Sequence, residues 1–194
     1  MNAKKLAVLF PGIGYHCDKP LLYYSAKLAG AAGYSVLPVP YAGFPEKVRG
    51  DADRMRASFD IARAQAEELL ADVNWAEFGD ILFIGKSIGT LVASRYALEQ
   101  GLAVRSVLLT PLAETFPFVR GEAIAFHGTA DPWAETAAIT AACRERDVPL
   151  YLTDGANHSL ETGDVLRDVR TLEATLERTG DFIGRYGEDA GEEG

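Results

Sequence analysis

Residues 85–89 read Gly-Lys-Ser-Ile-Gly; they follow the apolar run Ile81-Leu82-Phe83-Ile84 and precede a helical pattern. A serine at so sharp a strand-to-helix turn is placed for nucleophilic attack on a carbonyl. The turn holds it in a strained backbone conformation costing roughly 1–3 kcal/mol. The helix that follows aims its dipole and free N–H groups at the reaction centre. Chain segments crowd the positions two before and two after the serine, where Gly85 and Gly89 supply the missing Cβ.

A serine hydroxyl is a poor nucleophile at neutral pH and needs a base, which in turn needs an orienting carboxylate. Of the three histidines, His158 lies in the loop Asp154–Glu161 after the last apolar run, and His127 closes the fifth run and reads as structural. His16 sits in the glycine-rich loop after the first run, lining a site or simply solvated. Asp131 follows His127-Gly128-Thr129-Ala130 and precedes Pro132, a position that by itself also suits a turn or helix cap. Glu114, after the fourth run, is the alternative acid. Asp131 beside His158 would raise the histidine pKa and burial would lower it, a balance the sequence leaves open.

Two phosphate-binding readings fail. Gly85-Lys86-Ser87 resembles the end of a phosphate loop, but the glycine required five positions earlier is Asp80. Gly12-Ile13-Gly14 resembles a dinucleotide fingerprint, but its third glycine falls at Cys17, and Val39-Pro40-Tyr41 offers no acid after the second strand.

The elements that must position these residues alternate along the chain. Strands are expected at Leu6–Phe10, Ser35–Val39, Ile81–Ile84, Val104–Leu109, Ala123–His127 and Pro149–Leu152, mostly as continuous apolar runs covered on both faces. Helices are expected at Lys19–Ala32, Asp51–Asp72, Ile88–Glu99, Trp133–Arg146 and Asp164–Ile183. In the second helix Met55, Phe59, Ala62, Ala66, Leu69 and Val73 share one face; in the last, Val165, Val169, Leu172 and Leu176 do so after Asp164 as N-cap. Strict alternation means a parallel sheet with helices on both faces, which places Ser87, Asp131 and His158 together at its carboxyl edge.

At 194 residues, 48% of them hydrophobic and 24% charged, residues 1–186 are expected to form one domain with a proper core, and 187–194 an acidic, disordered tail. The net charge of −9 argues against nucleic acid or an anionic membrane as partner. Cys17 and Cys143 have no metal-ligand spacing, and the apolar run after Lys5 ends at Pro11, too short for a signal peptide. A cytoplasmic, reduced protein is expected, with oligomeric state left open.

Three motifs carry a resemblance: Gly85-Lys86-Ser87-Ile88-Gly89, His127-Gly128-Thr129-Ala130-Asp131 and Asn157-His158-Ser159. Together with the strand order they resemble a small α/β-hydrolase of the dienelactone hydrolase-like or carboxylesterase type over residues 6–184. The resemblance implies a three-layer α/β/α fold on a mainly parallel six-stranded sheet with no cap domain. It also implies Ser87 as nucleophile, Asp131 as orienting acid and His158 as general base, with no cofactor or metal. The oxyanion hole it implies draws one backbone N–H from Ile88 and a second from Ile13, with Gly14 as the alternative. The implied partner is a small ester, thioester or lactone; the alternative is a noncatalytic binding or scaffold protein of the same fold. Tyr15, His16, Leu112, Phe116 and Trp133 are candidates for the pocket wall, although Leu112 and Phe116 equally suit the core packing of a short helix.

Overall fold

A computed structural model of the chain describes residues 3–188. Strands and helices alternate as β1 (Lys4–Phe10), α1 (Pro20–Ala31), β2 (Ser35–Pro38), α2 (Ala52–Leu70), β3 (Phe78–Lys86), α3 (Ile88–Glu99), β4 (Arg105–Leu109), β5 (Ala123–Gly128), α4 (Thr136–Glu145), β6 (Leu150–Thr153) and α5 (Val165–Glu188). The strands form one six-stranded, wholly parallel sheet in the order β2-β1-β3-β4-β5-β6. The chain steps outward from β1 to β2 and then returns past β1 to β3. Strand order therefore reverses between β1 and β3, and such a switch point opens a crevice at the carboxyl ends.

Both faces of the sheet are covered. Leu9, Leu82, Ile84, Val107, Leu109 and Phe126 pack against Leu21, Leu22 and Ala29 of α1 and Phe182 and Ile183 of α5. The other face packs Val8, Phe10 and Phe83 against Ala62, Ala66 and Leu70 of α2 and Val92 and Tyr96 of α3. A third cluster seats Ile139 and Cys143 of α4 against Leu108, Ala125 and Phe116.

Three expected details are corrected. The buried face of α2 is Ser58, Ala62, Ala66 and Leu70, while Leu69 is exposed. Small side chains there let the helix lie close to its neighbours, and only the residue four beyond Ala66 stays on that line. In α5 the valines of the expected stripe are uncovered: Val165 is 73% and Val169 57% exposed, and burial begins only farther along, with Thr175, Thr179, Phe182 and Ile183. The first turns of α5 instead border an open groove with Pro20 and Leu21 at the start of α1. Helix α4 starts three residues later than expected, because the Trp133 amide donates to the Asp131 side chain at 2.8 Å and holds residues 131–133 in a turn. Asp164 caps α5 as expected, accepting from the Arg167 amide at 3.0 Å. That helix runs to Glu188, past the start expected for the tail, and residues 189–194 lie outside the described residues. Among the described residues no helix is long and apolar enough to cross a membrane.

Candidate active site

Ser87 stands between β3 and α3 with φ 56° and ψ −125°, a backbone conformation that side chains other than glycine rarely adopt. Its amide donates to the Leu109 carbonyl at 3.0 Å, and its own carbonyl accepts from Thr90 N–H at 2.9 Å, so both neighbours hold the turn. A Cβ on Gly85 would lie 2.7 Å from Thr90 Cα, and one on Gly89 would run into the carbonyl oxygens of Phe10 and Pro11. The glycines are therefore needed against α3 and β1, the two backbones that cross at the turn.

The Ser87 hydroxyl lies 2.7 Å from His158 Nε2, and His158 Nδ1 lies 2.6 Å from Asp131 Oδ2. Serine, histidine and carboxylate thus form one hydrogen-bonded line from the end of β3 to the loops after β5 and β6. The Asp131 carboxylate is wholly buried; burial alone would raise its pKa. The bond from His158, that group's charge and the Trp133 amide outweigh burial and hold it below the ordinary range. His158 is pushed down, first by burial and further by the Lys86 charge, against the pull of Asp131. The balance left open by the sequence thus falls on the neutral imidazole, the form that accepts a proton.

The loop after β1 makes the facing wall. Gly12 and Tyr15 exchange two backbone hydrogen bonds, at 3.0 and 3.2 Å, around Ile13 and Gly14, and Gly14 takes φ 70°. These bonds use the Gly12 and Tyr15 amides and leave those of Ile13 and Gly14 outside the bridge. Ile88 begins α3, where an amide has no partner within the helix. A Cβ on Gly12 would stand 3.1 Å from Ser87 Cβ, so the loop lies directly against that serine.

The expected pocket wall divides. Tyr15 borders a groove of about 260 Å³ with Leu21, Leu160, Glu161, Val169 and Leu172. His16 borders a second, of about 430 Å³, with Gly12, Cys17, Tyr41 and Phe44. Trp133 stacks on the His158 ring, centroids 5.6 Å apart. Leu112 and Phe116 are buried, Phe116 among Leu108, Ala125 and Ile139, and they form core rather than an open wall. Glu114 is exposed. His127, read as structural, is fully buried behind the acid, with Nδ1 3.7 Å from Asp131 Oδ2 and Nε2 3.1 Å from Thr136 Oγ1. Its spacing of four residues from Asp131 was the one available signal. Among the described residues no cluster of acids, histidines or cysteines has the arrangement of a metal site.

No protein-family model and no curated protein matches the sequence. Solved structures do. A structure of Est1E from Butyrivibrio proteoclasticus with bound ferulic acid superposes with a TM-score of 0.70 at 14% identity, over 97% of this chain and 90% of that one. The Pyrococcus furiosus esterase Pf2001 gives 0.66 at 16% identity, over 95% and 84%. The chain has the α/β-hydrolase fold. An alpha-beta serine hydrolase homologue from Coxiella burnetii shares it with a TM-score of 0.59 at 16% identity, over 90% of this chain and 84% of the other. Identities this low speak for the fold alone, so the chemistry has to come from the residues at the sheet edge.

Proposed function

We propose that this α/β-hydrolase-fold chain is a serine hydrolase that cleaves a small ester, thioester or lactone through an acyl-enzyme on Ser87. The observation that carries the reading is the continuous line of short hydrogen bonds from Ser87 Oγ through His158 to the buried Asp131. His158 Nε2 takes the hydroxyl proton as Oγ attacks the carbonyl carbon, and Asp131 holds the ring in the tautomer that makes this possible. The amides of Ile88 and of Ile13 in the Gly12–Tyr15 turn face the developing oxyanion, a contribution commonly of 10²–10³ in rate per donor. His158 then returns the proton to the leaving group, and water repeats the sequence to release the acid. Trp133, stacked on the imidazole, limits its rotation and shields one face from water. The esterases among the fold neighbours agree with an ester-type substrate.

Labelling by a fluorophosphonate, which reacts with activated serines, tests the reading. Wild-type protein is labelled at Ser87, and Ser87→Ala and His158→Ala are not. A folded wild type that resists the probe would leave the fold as a noncatalytic scaffold. Activity that vanishes with a chelator and returns with zinc would replace the serine mechanism altogether.

A further inference from the structure

Lys86, immediately before the nucleophile, has no part in the steps above. Its side chain is 1% exposed, on the face of β3 that also carries Leu82 and Ile84. The amine sits 4.9 Å from the centroid of the Tyr15 ring, and among the described residues it forms no ion pair with a carboxylate. Burying an ammonium without such a partner is costly, and burial pushes its pKa down to about 7 against the pull of Asp131 and Glu161. A leucine or methionine would fill this space at no such cost, so the charge itself calls for an explanation.

The surroundings supply one. Tyr15 faces the amine from the loop after β1, with its backbone tied to Gly12 and its hydroxyl accepting from the Leu21 amide at 3.1 Å. Asp131 acts on it from the loop after β5, and Glu161 from the loop after β6. After burial, the charges of Lys86 and of His127 on β5 both act to lower the His158 pKa. The Tyr15 ring fixes the cation in place, and the residue that carries it adjoins Ser87, whose hydroxyl lies 2.7 Å from Nε2 of His158, the base of the proposed reaction.

We propose that Lys86 is a positioning residue for the chemistry on Ser87: its buried ammonium, held against Tyr15, keeps the His158 imidazole in the neutral, proton-accepting form. The proposal rests on the serine-hydrolase reading for its purpose, but not for its measurement. An ammonium disfavours a second positive charge nearby, so its loss lets His158 hold a proton to higher pH. The amine is charged below about 7 and His158 titrates below its ordinary value, so the effect spans the range in which the base loses its proton.

The test is a proton NMR titration of the imidazole C–H signals in wild type, Lys86→Met and Lys86→Arg, with His158→Ala assigning the signal among three histidines. Lys86→Met raises the His158 midpoint by about half a pH unit or more, and Lys86→Arg leaves it at the wild-type value. The acid limb of kcat/KM moves with it, so that at pH 5 Lys86→Met keeps about one third of the wild-type fraction of its own plateau. Lys86→Gln removes the same charge if the methionine variant does not fold. An unchanged midpoint in the neutral variants, or equal changes in the methionine and arginine variants, overturns the proposal. The titration reads a proton rather than turnover, so a wild type that resists the fluorophosphonate probe would sink the hydrolase reading and still leave this result interpretable.

Discussion

Two cations are buried on the same face of neighbouring strands, at opposite ends of the sheet. Arg105, at the amino end of β4, donates to Asp80 at 3.0 and 3.3 Å and to the Phe182 carbonyl at 2.7 Å, and also meets the Tyr34 hydroxyl. Lys86, at the carboxyl end of β3, has an aromatic ring and, among the described residues, no paired carboxylate. The arginine's planar fork satisfies several acceptors at once and joins β4, the amino end of β3 and α5 into a single piece. The lysine's charge is left to act on its surroundings. A buried cation that is fully bonded is a joint, and one that is not is a source of field. The amino edge of this sheet is built to hold, and the carboxyl edge carries the proposed chemistry.

Substitutions at the two ends should therefore fail in different ways. The largest effect belongs to Ser87→Ala, which lowers kcat by about 10⁴-fold or more while the melting temperature stays put. His158→Ala is nearly as damaging, and the two losses do not add because the residues act as a unit. Asp131→Asn lowers kcat by about 10³–10⁴-fold in a side-by-side ester assay, since the amide favours the wrong imidazole tautomer. Exposed Glu114→Gln changes nothing in that assay. The reverse pattern would move the acid to the loop after β4.

At the other edge, Arg105→Met leaves the Asp80 carboxylate without its ion-pair partner and costs about 3–5 kcal/mol in urea unfolding, with kcat per folded molecule unchanged. Adding Asp80→Asn returns part of that loss. Turnover that collapses while stability holds would erase the division between the two edges. The smallest effect concerns pH. His158 must be neutral to accept a proton, so kcat/KM rises as pH rises through its pKa. That pKa is lowered by burial and by Lys86, which puts the midpoint in wild type below 6.5. A midpoint clearly above that value would mean that Asp131 outweighs both.

The backbone order was legible in the sequence because buried parallel strands are written as continuous apolar runs, and all six occur within a few residues of the segments expected. The line Ser87–His158–Asp131 was legible for a related reason. A parallel sheet delivers every loop after a strand to one edge, so residue type and position in the chain were enough to bring the three together. What escaped was whatever depends on how closely two surfaces approach. Periodicity puts Leu69 on the inner face of α2, yet packing of the small residues Ser58 and Ala62 turns Leu70 inward. Val165 and Val169 read as core but border a groove, since helical spacing says which residues share a face and not whether anything covers it. Lys86 is a further case: in sequence a lysine before Ser87 can equally turn outward, and only the third dimension buries it under Tyr15.

The bond from Arg105 to the Phe182 carbonyl joins residues 77 positions apart, and it has a consequence in time. The sheet face carrying Leu9, Ile84 and Val107 is sealed by α1 together with Phe182 and Ile183. On a ribosome adding roughly 5–20 residues each second, β1 emerges many seconds before those last two side chains. Throughout that interval an apolar sheet face lacks part of its cover, and His158 reaches Ser87 only as this wait is ending. The chain is therefore exposed to association with its neighbours during synthesis, and it completes the line Ser87–His158–Asp131 late, shortly before α5 closes the opposite end.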